Sequence, residues 1–154
     1  MTTPLISATR TVDAPPEKVW EAVSDLSAIG ERSPQCRRMI VLGGEPGVGT
    51  TTLNLNRQGL LFWPTWSTVT RWSPNEVLEW RVPVNRSHWR FELTDNGDGT
   101  TTLTESRIVD GDTTLVSRAM VAVALGGNDA FEARLREGME QTLAAIADAV
   151  RRAG

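Results

Sequence analysis

The stretch from Asn128 to Arg152 constrains the rest of this chain, because it reads as one long amphipathic helix. Phe131, Leu135, Met139, Leu143, Ile146 and Val150 recur at steps of four and three, the period of a single helix face. Glu132, Arg134, Arg136, Glu137, Glu140, Asp148 and Arg151 occupy the other side. Asn128 or Asp129 can cap the start by accepting from an orphan backbone N–H. Each large apolar side chain on the stripe gains roughly 1.5–3 kcal/mol from burial, so the helix needs a surface to lie on. The preceding chain alternates like strands, which makes a sheet the expected partner.

In chain order, Ile6 to Val12 reads as a first strand with Ile6, Ala8 and Val12 on one side. Asp13-Ala14-Pro15-Pro16-Glu17 then offers an acidic cap and prolines suited to a first helical turn. Val19, Trp20, Val23, Leu26 and Ile29 continue at helical spacing, and a second short helix is expected within Ser24 to Ser33, before Pro34. Six strands follow, over Arg38–Leu42, Thr50–Arg57, Thr65–Trp72, Val77–Val82, His88–Leu93 and Thr101–Val109. Asp95-Asn96-Gly97-Asp98-Gly99 is a strong hairpin signal. Leu115 to Leu125 is a candidate short helix before Gly126-Gly127.

Gly44 to Thr51 nearly spells a phosphate-binding loop. Thr50 stands where that loop needs a lysine, and a strand rather than a helix follows, so the stretch reads as a hairpin turn. The order β, two short helices, six strands, long helix predicts a single α+β domain over residues 1–154. Its curved antiparallel sheet of about seven strands would wrap around the C-terminal helix.

Composition excludes several function classes. A net charge of −3 gives no electrostatic footprint for nucleic acid. Cys36 is the only cysteine, which excludes an intrachain disulfide and fits a reducing compartment; it reads as a buried small apolar residue. His88 is the only histidine and alternates out of phase with Trp89 and Phe91, which places it on the convex face and removes histidine triads and multi-histidine metal sites. No metal site and no cofactor is expected. No apolar run approaches the ~20 residues of a membrane helix. The first residues show no signal peptide, so a soluble, cytoplasmic protein is expected, as a monomer or homodimer.

A sheet curved around one helix leaves room that the helix does not fill, and apolar spaces with a few polar groups bind small ligands. The expected lining is Trp66, Trp80, Trp89, Phe91 and Leu103 from the sheet, opposed by Leu135, Met139 and Leu143. On the last strand Leu103, Glu105 and Arg107 share a phase. If Leu103 faces the helix, Glu105 does too, and a buried carboxylate must be paired or neutralised. Arg57, in phase with Leu53 and Leu55, is a candidate partner, as is Arg107. A bulge would instead turn both charges of that strand to solvent.

The element order and several motifs resemble the START-like (SRPBCC) superfamily with its helix-grip fold. Ala14-Pro15-Pro16-Glu17-Lys18-Val19-Trp20 is similar to that family's entry to the first helix. More narrowly, the chain resembles actinobacterial polyketide cyclase/dehydrase-like proteins. The resemblance lies in Gly30-Glu31-Arg32-Ser33-Pro34-Gln35-Cys36, in Asn56-Arg57-Gln58-Gly59, in Trp66-Ser67-Thr68 and in Asp98-Gly99-Thr100 leading to Thr104-Glu105-Ser106. It implies the helix-grip fold, a site for a hydrophobic ligand, and Arg57 and Glu105 as pocket residues.

The leading expectation is a binder or carrier of a hydrophobic small molecule of lipid, polyketide or isoprenoid type. The alternative is a polyketide aromatase/cyclase or dehydratase in which Glu105, the only catalytic candidate, supplies acid–base chemistry. A protein-interaction module ranks last, because the convex face is expected to carry mostly Thr, Ser, Arg and Glu.

Overall fold

The computed structural model describes residues 5–32, 36–58, 60–109 and 128–153. Strand β1 (Leu5–Val12) leads through α1 (Pro16–Val23) and α2 (Leu26–Arg32) into β2 (Cys36–Leu42) and β3 (Thr51–Gln58). The chain continues through β4 (Leu61–Ser73), β5 (Val77–Val82), a 3-10 turn at Pro83–Asn85, β6 (Ser87–Asp95) and β7 (Thr101–Val109). Helix α3 (Asn128–Ala153) closes it. The candidate helix over Leu115–Leu125 lies outside the described residues.

All seven strands form one antiparallel sheet in the order β1-β7-β6-β5-β4-β3-β2. The two edges, β1 and β2, are consecutive in the chain, so α1 and α2 carry it from one edge to the other. Both short helices pack against α3, and α2 also packs on β2. This is the antiparallel α+β order expected from the sequence, in the helix-grip architecture that the family resemblance implies.

Each local element has a local cause. Pro16 begins α1, where a missing N–H is harmless, and Glu17 favours the positive end of the helix. Asp13 does not cap it: the N-cap position is Pro15, whose ring has no acceptor to offer. The β2–β3 connection is the expected hairpin turn, with Gly43 and Gly49 at positive φ. Thr50 serves the turn itself, its Oγ1 accepting from the Gly47 N–H at 2.9 Å. Between β6 and β7, Asp95 Oδ1 accepts from the Gly97 N–H at 2.9 Å, and Asp98 Oδ1 accepts from the Thr100 N–H and hydroxyl at 3.0 and 2.5 Å. Those two bonds to its charged form hold Asp98 below the usual carboxylate pKa.

β4 starts at Leu61, earlier than the alternation suggests, and runs through Pro64. β5 pairs with β4 only from Thr68 onward, so among the described residues no strand lies beside Pro64 on that side to miss a ladder bond. Further along, the register slips between Val69 and Arg71. This bulge lets Val69 and Trp72 both face inward, opposite Trp80 and Leu78. Trp72 then meets Trp20 of α1 edge-to-face, ring centroids 5.3 Å apart, which ties the short helices to the centre of the sheet.

The interior is divided. The main apolar cluster joins α1 and α2 to Val69, Leu78, Trp80, Phe91, Leu93 and Leu103, and to Leu143, Ile146 and Val150 of α3. A smaller cluster holds Ile6 with Leu135 and Met139 from the first half of α3. Ala8 and Trp89, both half-buried, touch the two clusters alike.

Candidate functional site

Glu105 stands where the two clusters meet. Its direct partner on β1 is Ala8, and its partner on β6 is Phe91. Two residues on, Arg107 pairs with Ile6 and Trp89. Leu103, Glu105 and Arg107 are all buried, so no bulge turns this strand outward and the concave placement of Glu105 holds.

The carboxyl group belongs to a residue only 5 % exposed, and its Oε1 has no hydrogen-bond partner among the described residues. Burial raises its pKa to about 8. Among the described residues no cation contributes to that shift. Glu105 is therefore a neutral acid at pH 7, able both to donate a proton in a hydrogen bond and to accept one through its carbonyl oxygen. With Ala8 and Phe91 as its strand partners, it is a polar residue among apolar ones.

The expected pairing of Glu105 with Arg57 is not made. Leu53, Leu55 and Arg57 lie on the convex face, and the inward phase of β3 is Thr52, Asn54 and Asn56. The guanidinium of Arg57 sits over the ring of Phe62, 5.1 Å from its centroid, and Phe62 is itself largely exposed. Trp66 pairs with Leu53 and is also outside, 54 % exposed. Counting back by twos from the inward Trp72 puts Trp66 inside; the bulge at Thr70 reverses that phase.

The other expected lining residues lie on the concave side. Trp80, Phe91 and Leu103 are buried in the main cluster with Leu143, and Trp80 contacts Phe91 at 5.8 Å between ring centroids. Trp89 is half-buried, and Leu135 and Met139 belong to the smaller cluster. His88 is on the convex face as expected, its Nδ1 3.3 Å from Glu79 Oε2. Glu79 is also held by Arg90 Nε at 2.5 Å, which raises the pKa of Arg90. The side chain of Cys36 is outside the described residues. Among the described residues no group of three His, Cys, Asp or Glu could hold a metal ion.

Sequence reading missed a polar strip on the concave side of β3 and β4. Thr52 donates to Asn54 Oδ1 at 2.8 Å and is hydrogen-bonded to Ser67, while Asn54 Nδ2 donates to Ser67 Oγ at 3.3 Å. Asn56 Nδ2 reaches Thr65 Oγ1 at 3.0 Å. The signal was present in the alternation Thr52, Asn54, Asn56, but the leucines between them form the more obvious inward phase.

This chain shares its sequence pattern and its fold with known proteins. The profile of the family described as polyketide cyclase / dehydrase and lipid transport matches residues 3–151. The chain belongs to this family. With it comes membership of the START-like (SRPBCC) superfamily, and solved structures repeat the fold. The protein TTHA0849 from Thermus thermophilus superposes with a TM-score of 0.73 at 15% identity, over 98% of this chain and 99% of that one. The Zhui aromatase/cyclase from Streptomyces sp. R1128 gives a TM-score of 0.68 at 17% identity, over 96% and 93%. The Polyketide_cyc-like protein Cgl2372 from Corynebacterium glutamicum is 25% identical, with a TM-score of 0.61 over 96% and 91%. No curated protein matches the sequence. No helix among the described residues is long and apolar enough to cross a membrane.

Proposed function

We propose that this family member binds or carries a hydrophobic small molecule, of lipid, polyketide or isoprenoid type, between the concave sheet face and α3. One observation carries the reading: a neutral carboxyl group buried at the junction of two apolar clusters, with one oxygen unpartnered among the described residues. A buried polar atom without a partner costs about 1–3 kcal/mol, and a ligand carbonyl or hydroxyl against Glu105 removes that cost. Trp80, Trp89, Phe91 and Leu103 would hold the apolar body of the ligand, with Leu135, Met139 and Leu143 opposite. The family's description, which joins polyketide chemistry to lipid transport, supports the same class of ligand.

Titration with an apolar fluorescent probe such as N-phenylnaphthylamine tests this. Saturable uptake that weakens in Phe91→Ala is the expected result; probe that stays in water at all protein concentrations speaks against an internal site.

A second reading is a polyketide aromatase/cyclase or dehydratase. It is favoured by the same group, because an acid with a pKa near 8 holds a transferable proton at neutral pH. The fold neighbour named an aromatase/cyclase keeps it in view. Turnover of a poly-β-keto substrate analogue that Glu105→Gln abolishes, while probe binding persists, selects catalysis. Equal product from both proteins leaves the binding role.

A further inference from the structure

The convex face of β3 and β4 is apolar where polar residues were expected. From the hairpin tip inward, Leu60 is 93 % exposed, Phe62 65 %, Trp66 54 % and Leu55 40 %. Register makes these continuous: Arg57 faces Phe62, Leu55 faces Pro64, and Leu53 faces Trp66. Arg38 of β2 lies beside Leu55 and extends the stripe across the sheet edge. Scattered surface leucines need no explanation, but an aromatic and leucine stripe ending in a protruding tip does.

Charge is segregated to the same part of the chain. Residues 32–75 carry Arg32, Arg37, Arg38, Arg57 and Arg71 against the single acid Glu45, in a protein whose overall charge is −3. From Pro46 to Asn75, the stretch that contains both strands, there is no acid at all. On β5 and β6 the convex face is different: Glu79 is enclosed by Arg71, His88 and Arg90. The apolar stripe is thus bordered by arginines on strands whose own sequence holds no acid.

We infer that this face docks the protein on an anionic membrane surface, with the Leu60–Phe62 tip entering the acyl boundary and Arg38 and Arg57 at the phosphate level. Trp and Phe suit the headgroup region, and cations beside them draw the face to anionic lipid. A second copy is a poor occupant. A two-fold contact through this face would bring arginine against arginine across strands that themselves contain no acid. Docking is independent of the interior site proposed above, although it would bring that site next to a source of hydrophobic ligand.

Co-sedimentation of the full chain with vesicles tests the inference. Phosphatidylcholine vesicles with about 30% phosphatidylglycerol should retain the protein, and phosphatidylcholine alone should not. Retention should fall as salt is raised past about 0.1 M. Leu60→Asp and Phe62→Asp, at exposed positions, should each weaken retention on the order of tenfold, and Arg57→Glu should do the same. Val84→Asp, at an exposed apolar position outside the stripe, should leave it unchanged. Retention indifferent to the tip variants overturns the proposal. So does a solution dimer that the same variants dissociate, which would make the face a self-interface. A monomer that ignores anionic vesicles overturns it in favour of an acidic protein partner. Uptake of the apolar probe by Leu60→Asp without vesicles reports separately on the interior site.

Discussion

Glu105 and Phe91 are direct partners across the β6–β7 ladder, with Ala8 on the other flank, and burial raises the acid's pKa. Placing an acid there has a thermodynamic signature. The group's pKa is about 8 folded and 4.5 unfolded, so between those values the folded state binds more protons. Stability should therefore be unaffected by Glu105 below about pH 4.5, fall as pH rises from there, and level off above pH 8. At pH 7 the loss is on the order of 3 kcal/mol. Glu105→Gln keeps the shape and removes the titration. Urea unfolding between about pH 5 and about pH 8.5 should show a falling midpoint for the wild type and a flatter one for the variant. Parallel profiles would mean that the acid is ionised and partnered.

Arg57 should matter little to the fold. Its guanidinium covers an exposed ring on the convex face, where a cation–π contact is worth about 0.5–1 kcal/mol. Loss of that contact in Arg57→Met is expected to lower unfolding free energy on the order of 1 kcal/mol. A loss of several kcal/mol would point to a buried carboxylate partner.

Much of the fold was legible because its signals are periodic. The α3 stripe, the turn at Asp95–Gly99 and the prolines opening α1 each state their structure within a few residues. The site was legible where phase ran undisturbed, as on β7, where Leu103 indicated Glu105. It was not legible on β3 and β4. There the apolar phase faces out, the polar phase faces in, and a single bulge between Val69 and Arg71 inverts any count carried from Trp72 to Trp66. Alternation shows that two faces differ; which of them is covered depends on distant elements. The convex apolar stripe escaped notice for the same reason.

The Trp20–Trp72 contact joins α1 to the sheet at the bulge. Trp72 is half-buried against the main cluster, so Trp72→Ala should cost less than the roughly 3–5 kcal/mol of a fully buried aromatic, on the order of 2–3 kcal/mol. Val84→Ala, on the exposed 3-10 turn, should lie within about 0.5 kcal/mol of wild type. Thermal unfolding of the two variants compares them directly.

Asn54 holds the concave polar strip together, bonding Thr52 and Ser67, which are each 1% exposed. Asn54→Ala strands partners that have little access to water, so a loss of about 1–3 kcal/mol is expected in urea unfolding. A neutral result would mean that water or another side chain takes over the bonds.

The central claim is an interior that holds a hydrophobic molecule against a neutral Glu105. Native mass spectrometry of freshly purified protein, followed by organic extraction, tests it most directly. The account predicts one equivalent of an apolar, oxygen-bearing molecule on the folded chain, either retained from the cell or taken up when lipids and polyketides are offered. A bare mass that persists after such ligands are supplied would contradict it.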